Sequence, residues 1–200
     1  MAEHYFSEKP TSEERKGLIR CTLEGMDFEF ETSSGVFSGK RLDPGTRLLI
    51  ENLQLPSSGR ILDLGCGYGP VGIFIAKKKP ALEVWMTDIN SRAVELTKLN
   101  VERNRVENII AVQGNLYEPV EGKLFHLIVS NPPISAGFKK VVEPLISQAT
   151  LHLEKEGIIQ LVVQSNKGGK TVAGIINRSF GNIEIVAKKS GYRVLKGVWR

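Results

Sequence analysis

The segment Ser130-Asn131-Pro132-Pro133-Ile134 follows the apolar run Phe125-His126-Leu127-Ile128-Val129. That run reads as a strand, and the two prolines end it: neither can donate to a strand ladder, and each fixes its own φ. A plain loop would end a strand at less conformational cost. Stiffness is useful where an acceptor must be held still. The Asn131 side-chain oxygen and the Pro132 backbone carbonyl are two acceptors on a rigid exit, able to hold both hydrogens of one NH2 group. A conjugated NH2 is a poor nucleophile because its lone pair is delocalised. Two fixed acceptors aim that lone pair and favour the cationic form that develops when the nitrogen attacks an electrophile. The segment carries no strong base, so the proton is expected to leave to solvent afterwards.

A second group of residues suits a nucleoside. In Ile61-Leu62-Asp63-Leu64-Gly65-Cys66-Gly67-Tyr68-Gly69, three glycines follow a strand pattern and precede a helix pattern. Glycine is needed where the backbone turns sharply and approaches a ligand, and the helix start offers free N–H groups. Asp88 ends the next strand, about 20 residues on, where a carboxylate accepts from both ribose hydroxyls. Asp63, just before the glycines, would repel a pyrophosphate but attract an ammonium. S-adenosylmethionine (SAM) has an ammonium, a sulfonium and a ribose but no phosphate, so this arrangement favours SAM over a dinucleotide.

These residues need a scaffold. Residues 17–33 read as a hairpin: Ile19, Cys21 and Leu23 alternate, Glu24 to Asp27 turn, and Phe28 and Phe30 alternate back. Residues 1–17 are polar, expected to be loosely ordered or to lie over another surface. A glycine-rich loop, Gly35 to Asp43, leads to a helix capped by Asp43, begun by Pro44 and running to about Leu53. From Arg60 strands and helices alternate. Strands are expected at 60–64, 82–88, 108–113, 125–130 and 157–164. Helices are expected at 70–79, at 91–104 with Ser91 as cap, at 139–153 despite Pro144, and at 169–180. A hairpin around Ser190-Gly191 closes the chain. Apolar strands alternating with helices form a parallel sheet covered on both faces. The expected fold is α/β: a doubly wound, mostly parallel seven-stranded sheet with a small N-terminal β-hairpin extension. The expected organisation is an extension and hairpin over 1–40 and one domain over 41–200.

Hydrophobic and charged contents of 41% and 24% are ordinary for a globular chain. No apolar run approaches the roughly 18 residues of a membrane span. The N-terminus has no apolar signal core. Cys21 and Cys66 lack metal-ligand spacing and make a poor disulfide framework, pointing to a reducing, cytoplasmic compartment. His4, His126 and His152 show no nucleophile or metal pattern, so no metal is expected. A net charge of +5 suits a polyanionic partner.

Gly65 to Gly69 with Thr87-Asp88-Ile89-Asn90 resembles the cofactor motif of class I SAM-dependent methyltransferases, a Rossmann-like fold. Asn131 to Ile134 resembles their amino-group motif, Asn or Asp, two prolines and an aromatic. His4 to Pro10, Gly35 to Ile50 and Gly191 to Lys196 together resemble a narrower group, the small-subunit ribosomal RNA guanine-N2 (RsmC-like) methyltransferases and their single-domain relatives. The resemblance implies SAM held by Thr46, Asp63, Gly65, Cys66, Gly67, Gly69, Asp88, Ile89, Asn115, Leu116 and Asn131, with Asn131, Pro132, Pro133 and Ile134 catalytic. Asn115 stands where relatives often have Asp against the SAM adenine, and its amide oxygen can still accept. Ile134 stands where an aromatic is usual, which weakens adenine N6 and leaves guanine N2 or cytosine N4. Phe37 or Phe138 would supply a π face instead. Arg41, Gln164, Lys167, Tyr192 and Arg193 are candidates for the RNA side. The implied partner is RNA, as ribosomal RNA or a small ribosomal subunit, acted on by a monomer away from membranes. A protein-glutamine N5 methyltransferase and a non-catalytic SAM-dependent RNA-binding module are the alternatives.

Overall fold

The computed structural model describes residues 16–34, 36, 41–134 and 137–200. In chain order the elements are β1 (Lys16–Leu23), β2 (Met26–Ser33), α1 (Pro44–Ile50), β3 (Gly59–Leu64), α2 (Pro70–Lys78), β4 (Leu82–Asp88), α3 (Ser91–Arg103), β5 (Ile109–Gln113), β6 (Phe125–Ser130), α4 (Glu143–Ser147), β7 (Leu153–Gln164), α5 (Gly169–Phe180), β8 (Glu184–Lys189) and β9 (Tyr192–Val198). Seven strands form one sheet in the order β5-β4-β3-β6-β7-β9-β8, and β1-β2 form a separate hairpin. The first five strands of the sheet run parallel, and β9 is antiparallel to β7 and β8. This is the expected class I methyltransferase architecture.

The strand order reverses between β3 and β6, so their carboxyl ends open the crevice where α/β sheets hold ligands. The two exits are clipped together: Ser130 Oγ donates to the Leu64 carbonyl at 2.6 Å. The glycine loop and the Asn-Pro-Pro segment therefore leave the sheet side by side. Central strands are apolar on both faces, with Ile61, Leu62, Leu127, Ile128 and Val129 fully buried. Every residue of α2 from Pro70 to Ala76 is also buried. The hairpin explains why: Phe28 stacks on Phe30 with centroids 5.8 Å apart, and Phe74 of α2 lies 6.0 Å from Phe28. Ile19, Leu23, Phe28 and Phe30 join the same core as the sheet. Lys77 and Lys78, at the end of α2, hold the hairpin turn through the Asp27 carbonyl and the Glu24 carboxylate.

Helix α3 secures the hairpin edge by side-chain mimicry of a strand. Asn100 accepts from Glu31 N at 2.6 Å and donates back to Glu31 O at 2.9 Å. Asn104, one turn on, does the same with Glu29 at 3.2 and 2.7 Å. Two amides at i, i+4 spacing thus satisfy an edge that would otherwise be open.

Several boundaries differ from expectation, each for a local reason. The first hairpin turns on two residues rather than four, Glu24 and Gly25, while the second turns on Ser190 and Gly191 as expected, all at positive φ. Helix α1 ends at Ile50, not Leu53. The cap of α3 is Asn90, not Ser91, because the Asn90 oxygen accepts from Arg92 N and Ala93 N. The single helix expected over 139–153 is broken. A wide i→i+5 turn (Phe138–Val142) precedes α4, whose first turn contains Pro144, and a tight turn (Gln148–Leu151) follows. Pro144 lacks the N–H that a continuous helix would need. Strand β7 begins at Leu153, earlier than expected, with Glu156 at φ +62 within it.

Candidate active site

Gly65, Gly67 and Gly69 all sit in the left-handed region, with φ of 74, 60 and 96. The loop hangs on the end of β4: Gly65 N and Cys66 N donate to the Thr87 carbonyl at 2.8 and 3.0 Å. Asp88 locks it further. One carboxylate oxygen accepts from Gly67 N, the other from Asn90 N, each at 2.9 Å. Asp63 is buried, and its Oδ2 accepts from Gly72 N at 2.8 Å. From α3, Thr97 Oγ1 donates to the Gly67 carbonyl and Asn100 Nδ2 to the Tyr68 carbonyl, at 2.9 and 2.8 Å. Asn100 therefore braces both the hairpin and the glycine loop.

Burial, with Asp88 nearby, pushes the Asp63 carboxyl up to about 7 against the pull of the Gly72 N–H. Burial also raises Asp88, opposed by its backbone donors. Burial pushes the Cys66 thiol up as well, so it is no ready nucleophile. Two buried carboxylates beside open cavities form a place for a cation and for hydroxyl donors. A Cβ on Gly65 would meet nothing nearer than Ser130 Oγ at 4.0 Å, so the glycine leaves space for a ligand. These features fit the ammonium and ribose of SAM.

Three cavities meet at the crevice. The first is lined by Gly65, Asp88, Ile89, Asn115, Leu116 and Pro133, among others. The second is lined by Thr46, Asp63, Gly65, Cys66, Gly67 and Asn131, among others. The third takes in Asn131, Pro132, Pro133, Ile134, Gln164 and Lys167, with Asp43 and Tyr192. Gly65 joins the first to the second, Pro133 the first to the third, and Asn131 the second to the third. The Asn-Pro-Pro segment therefore stands where the cofactor side meets the open cleft.

Most of the residues predicted for the site are brought together here. Gly69 lines none of these three cavities; it shapes the loop, and a Cβ there would come within 3.0–3.2 Å of Ile73, Met86 and Thr97. Arg41 is exposed and lines no cavity described above. Phe138 lies against Gly168 and packs on the second core cluster instead of lining the cleft. Arg193 donates to Ser165 Oγ at 3.0 Å. Phe37 lies outside the described residues. Sequence reasoning missed Asp43, read there only as a helix cap. Asp43 does cap α1 through Thr46 N at 2.8 Å, and its Oδ2 also accepts from Asn131 Nδ2 at 3.1 Å. Asn131 Nδ2 reaches Thr46 Oγ1 at 3.0 Å as well. On the far side, Tyr192 Oη lies 3.5 Å from Asp43 Oδ1 and accepts from Gln164 Nε2 at 2.8 Å. No motif signals this network, because its members are distant in sequence.

The family model of the methyltransferase small domain matches residues 27–196. The chain belongs to this family. A solved structure, the 16S rRNA N2 methyltransferase RsmC of T. thermophilus in complex with AdoMet and guanosine, superposes with a TM-score of 0.82. It is 26% identical, over 96% of this chain and 52% of that one. The uncharacterized protein YbxB of Bacillus subtilis is 39% identical over 98% of both chains. Ribosomal RNA small subunit methyltransferase C of Hamiltonella defensa is 33% identical over 84% of this chain and 49% of its own length. The chain thus spans about half the length of the ribosomal RNA methyltransferases it matches. It is a SAM-dependent methyltransferase, with SAM as cofactor. No helix among the described residues is long and apolar enough to cross a membrane.

Proposed function

We propose that this enzyme methylates the exocyclic N2 of a guanine in small-subunit ribosomal RNA, in the cytoplasm. One observation carries the reading: the Asn131 amide stands between the cofactor side and the open cleft with its Nδ2 bound to Asp43 and Thr46. Its Oδ1 and the Pro132 carbonyl are then the atoms left to accept from a target NH2. SAM, when bound, supplies an electrophilic methyl. The protein holds the amine, keeps its lone pair aimed, and stabilises the positive charge that develops on it. The prolines keep both acceptors rigid.

The cleft also favours guanine over cytosine. Guanine has two ring nitrogens beside its amine, and one of them, N1, carries a hydrogen; cytosine has one, N3, and it carries only a lone pair. A wall bearing the Asp43 carboxylate and the Gln164 amide, whose NH2 is already bound to Tyr192, presents acceptors. Guanine N1–H meets a partner there, whereas cytosine N3 meets repulsion. The T. thermophilus relative, a 16S rRNA N2 methyltransferase solved with guanosine, supports the same base. Ile134 gives the base apolar contact. The base must leave its stack to reach Asn131, which favours single-stranded or readily flipped positions. The test is mass spectrometry of ribosomal RNA nucleosides from cells with and without the gene. Loss of N2-methylguanosine is expected; unchanged methylated guanosine overturns the reading.

A further inference from the structure

We infer that Asp43 is a positioning residue for the reaction: its carboxylate sets which ends of the Asn131 and Gln164 amides face the cleft. This rests on the amino-methylation reading above.

The two ends of a carboxamide are nearly equal in shape, so packing alone does not choose between them. A flipped Asn131 would present NH2 to the target NH2, donor against donor, and the cradle would fail. What decides the orientation is the group behind it. Thr46 cannot decide alone, since a hydroxyl either donates or accepts. An ionised carboxylate only accepts. Asp43 Oδ2 takes the Thr46 hydroxyl hydrogen at 3.2 Å, which leaves the Thr46 oxygen as an acceptor toward Asn131. Asp43 Oδ2 also accepts directly from Asn131 Nδ2. Both hydrogens of the Asn131 amide are drawn inward, and Oδ1 is delivered to the cleft.

The same logic runs the other way. Tyr192 directs its hydroxyl hydrogen toward Asp43 Oδ1, so its oxygen accepts, and it accepts from Gln164 Nε2. Gln164 is left with Oε1 as its unused end. One carboxylate thus imposes acceptor polarity on two amides, one just beyond the end of β6 and one at the end of β7. Gly45 makes the arrangement possible: a Cβ there would lie 2.6 Å from the Tyr192 ring.

The roles of Asp43 as helix cap and as polarity anchor separate experimentally. Asn caps a helix as well as Asp does, but an Asn at 43 can turn either end toward Asn131. Asp43→Asn should therefore lower kcat for methyl transfer to unmethylated small-subunit RNA by roughly tenfold, and Asp43→Ala by roughly 100-fold. SAM affinity should change less than about threefold, because Asp43 lines only the cleft. Asn131→Asp places two carboxylates at the 3.1 Å contact and should be severely impaired. Adding Asp43→Asn to it removes the repulsion and should raise kcat about tenfold. A capping role alone predicts little effect of Asp43→Asn in either background, and that result overturns the inference. A second readout needs no substrate: hydrogen exchange of the Asn131 side-chain NH2 in 15N-labelled protein. Protection in the native enzyme, lost by at least tenfold in Asp43→Ala, is expected. An unprotected Asn131 NH2 in the native enzyme overturns the inference. If the native enzyme leaves ribosomal RNA unmodified while that protection holds and depends on Asp43, the substrate reading falls and the positioning role stands.

Discussion

Cofactor affinity should depend on pH through Asp63. Its carboxyl is buried, and its pKa is raised from 3.8 to about 7 by burial first and by Asp88. In the ligand-free enzyme the folded state therefore holds a proton that the unfolded chain releases. The sign follows: this proton's contribution to stability is fully present below pH 3.8 and is lost as pH rises through about 7. Its size is on the order of 4 kcal/mol, from a shift of about three units at 1.36 kcal/mol each. A cationic ligand reverses the balance, because it favours the ionised carboxylate. Below pH 7 SAM binding must first expel the Asp63 proton, and the population ready to bind falls tenfold per unit. Between pH 5.5 and 7 the Kd should tighten by about fifteen-fold, as the ionised fraction rises from roughly 0.03 to 0.5. Above about pH 8 the ligand's own α-amino group loses its charge and affinity falls again. Equilibrium dialysis with labelled SAM between pH 5.5 and 9 reads both limbs. Asp63→Asn should weaken binding at pH 7.5 and abolish the acidic limb. A flat native profile below pH 7, or an acidic limb unchanged in Asp63→Asn, refutes the reasoning.

Three substitutions test other parts of the account. Asn131→Ala should lower kcat by at least about 100-fold while leaving SAM binding within a few-fold, measured by single-turnover transfer and dialysis. Gly69→Ala forces a side chain into φ +96 among Ile73, Met86 and Thr97; urea unfolding should show a loss of about 1–3 kcal/mol, with weaker SAM binding. Asn100→Ala removes two bonds to Glu31 and one to Tyr68. Unfolding should register about 2–4 kcal/mol lost, and SAM affinity should drop because the glycine loop loses its brace.

The fold was legible because local patterns and global architecture agree. Both-face apolar runs became the central strands, and Gly65, Gly67 and Gly69 occupy the left-handed conformations that only glycine adopts freely. Asp88 sits where an acid ending the second strand of the sheet domain should sit. The boundaries that were missed depend on single hydrogen bonds. Asn90 outcompetes Ser91 as a cap because Asp88 holds its N–H and leaves its oxygen to the helix. The break around Pro144 comes from the one N–H that residue lacks. Tertiary partnerships were invisible: nothing in the sequence singles out Asn100 on α3 or Asn104 at its end, yet they close the hairpin edge. Asp43 was legible as a cap but not as the partner of Asn131, 88 residues away. Tyr192 was a candidate by resemblance alone until β9 brought it beside Gln164.

The central claim is that the Asn131 cradle holds guanine N2. The direct measurement is incubation of the purified enzyme with tritiated SAM and small-subunit ribosomal RNA from cells lacking the gene, followed by digestion and separation of nucleosides. The account predicts label in N2-methylguanosine, and none when Asn131→Ala replaces the native enzyme. Label in N4-methylcytidine or in a protein glutamine, with SAM bound normally, would contradict it.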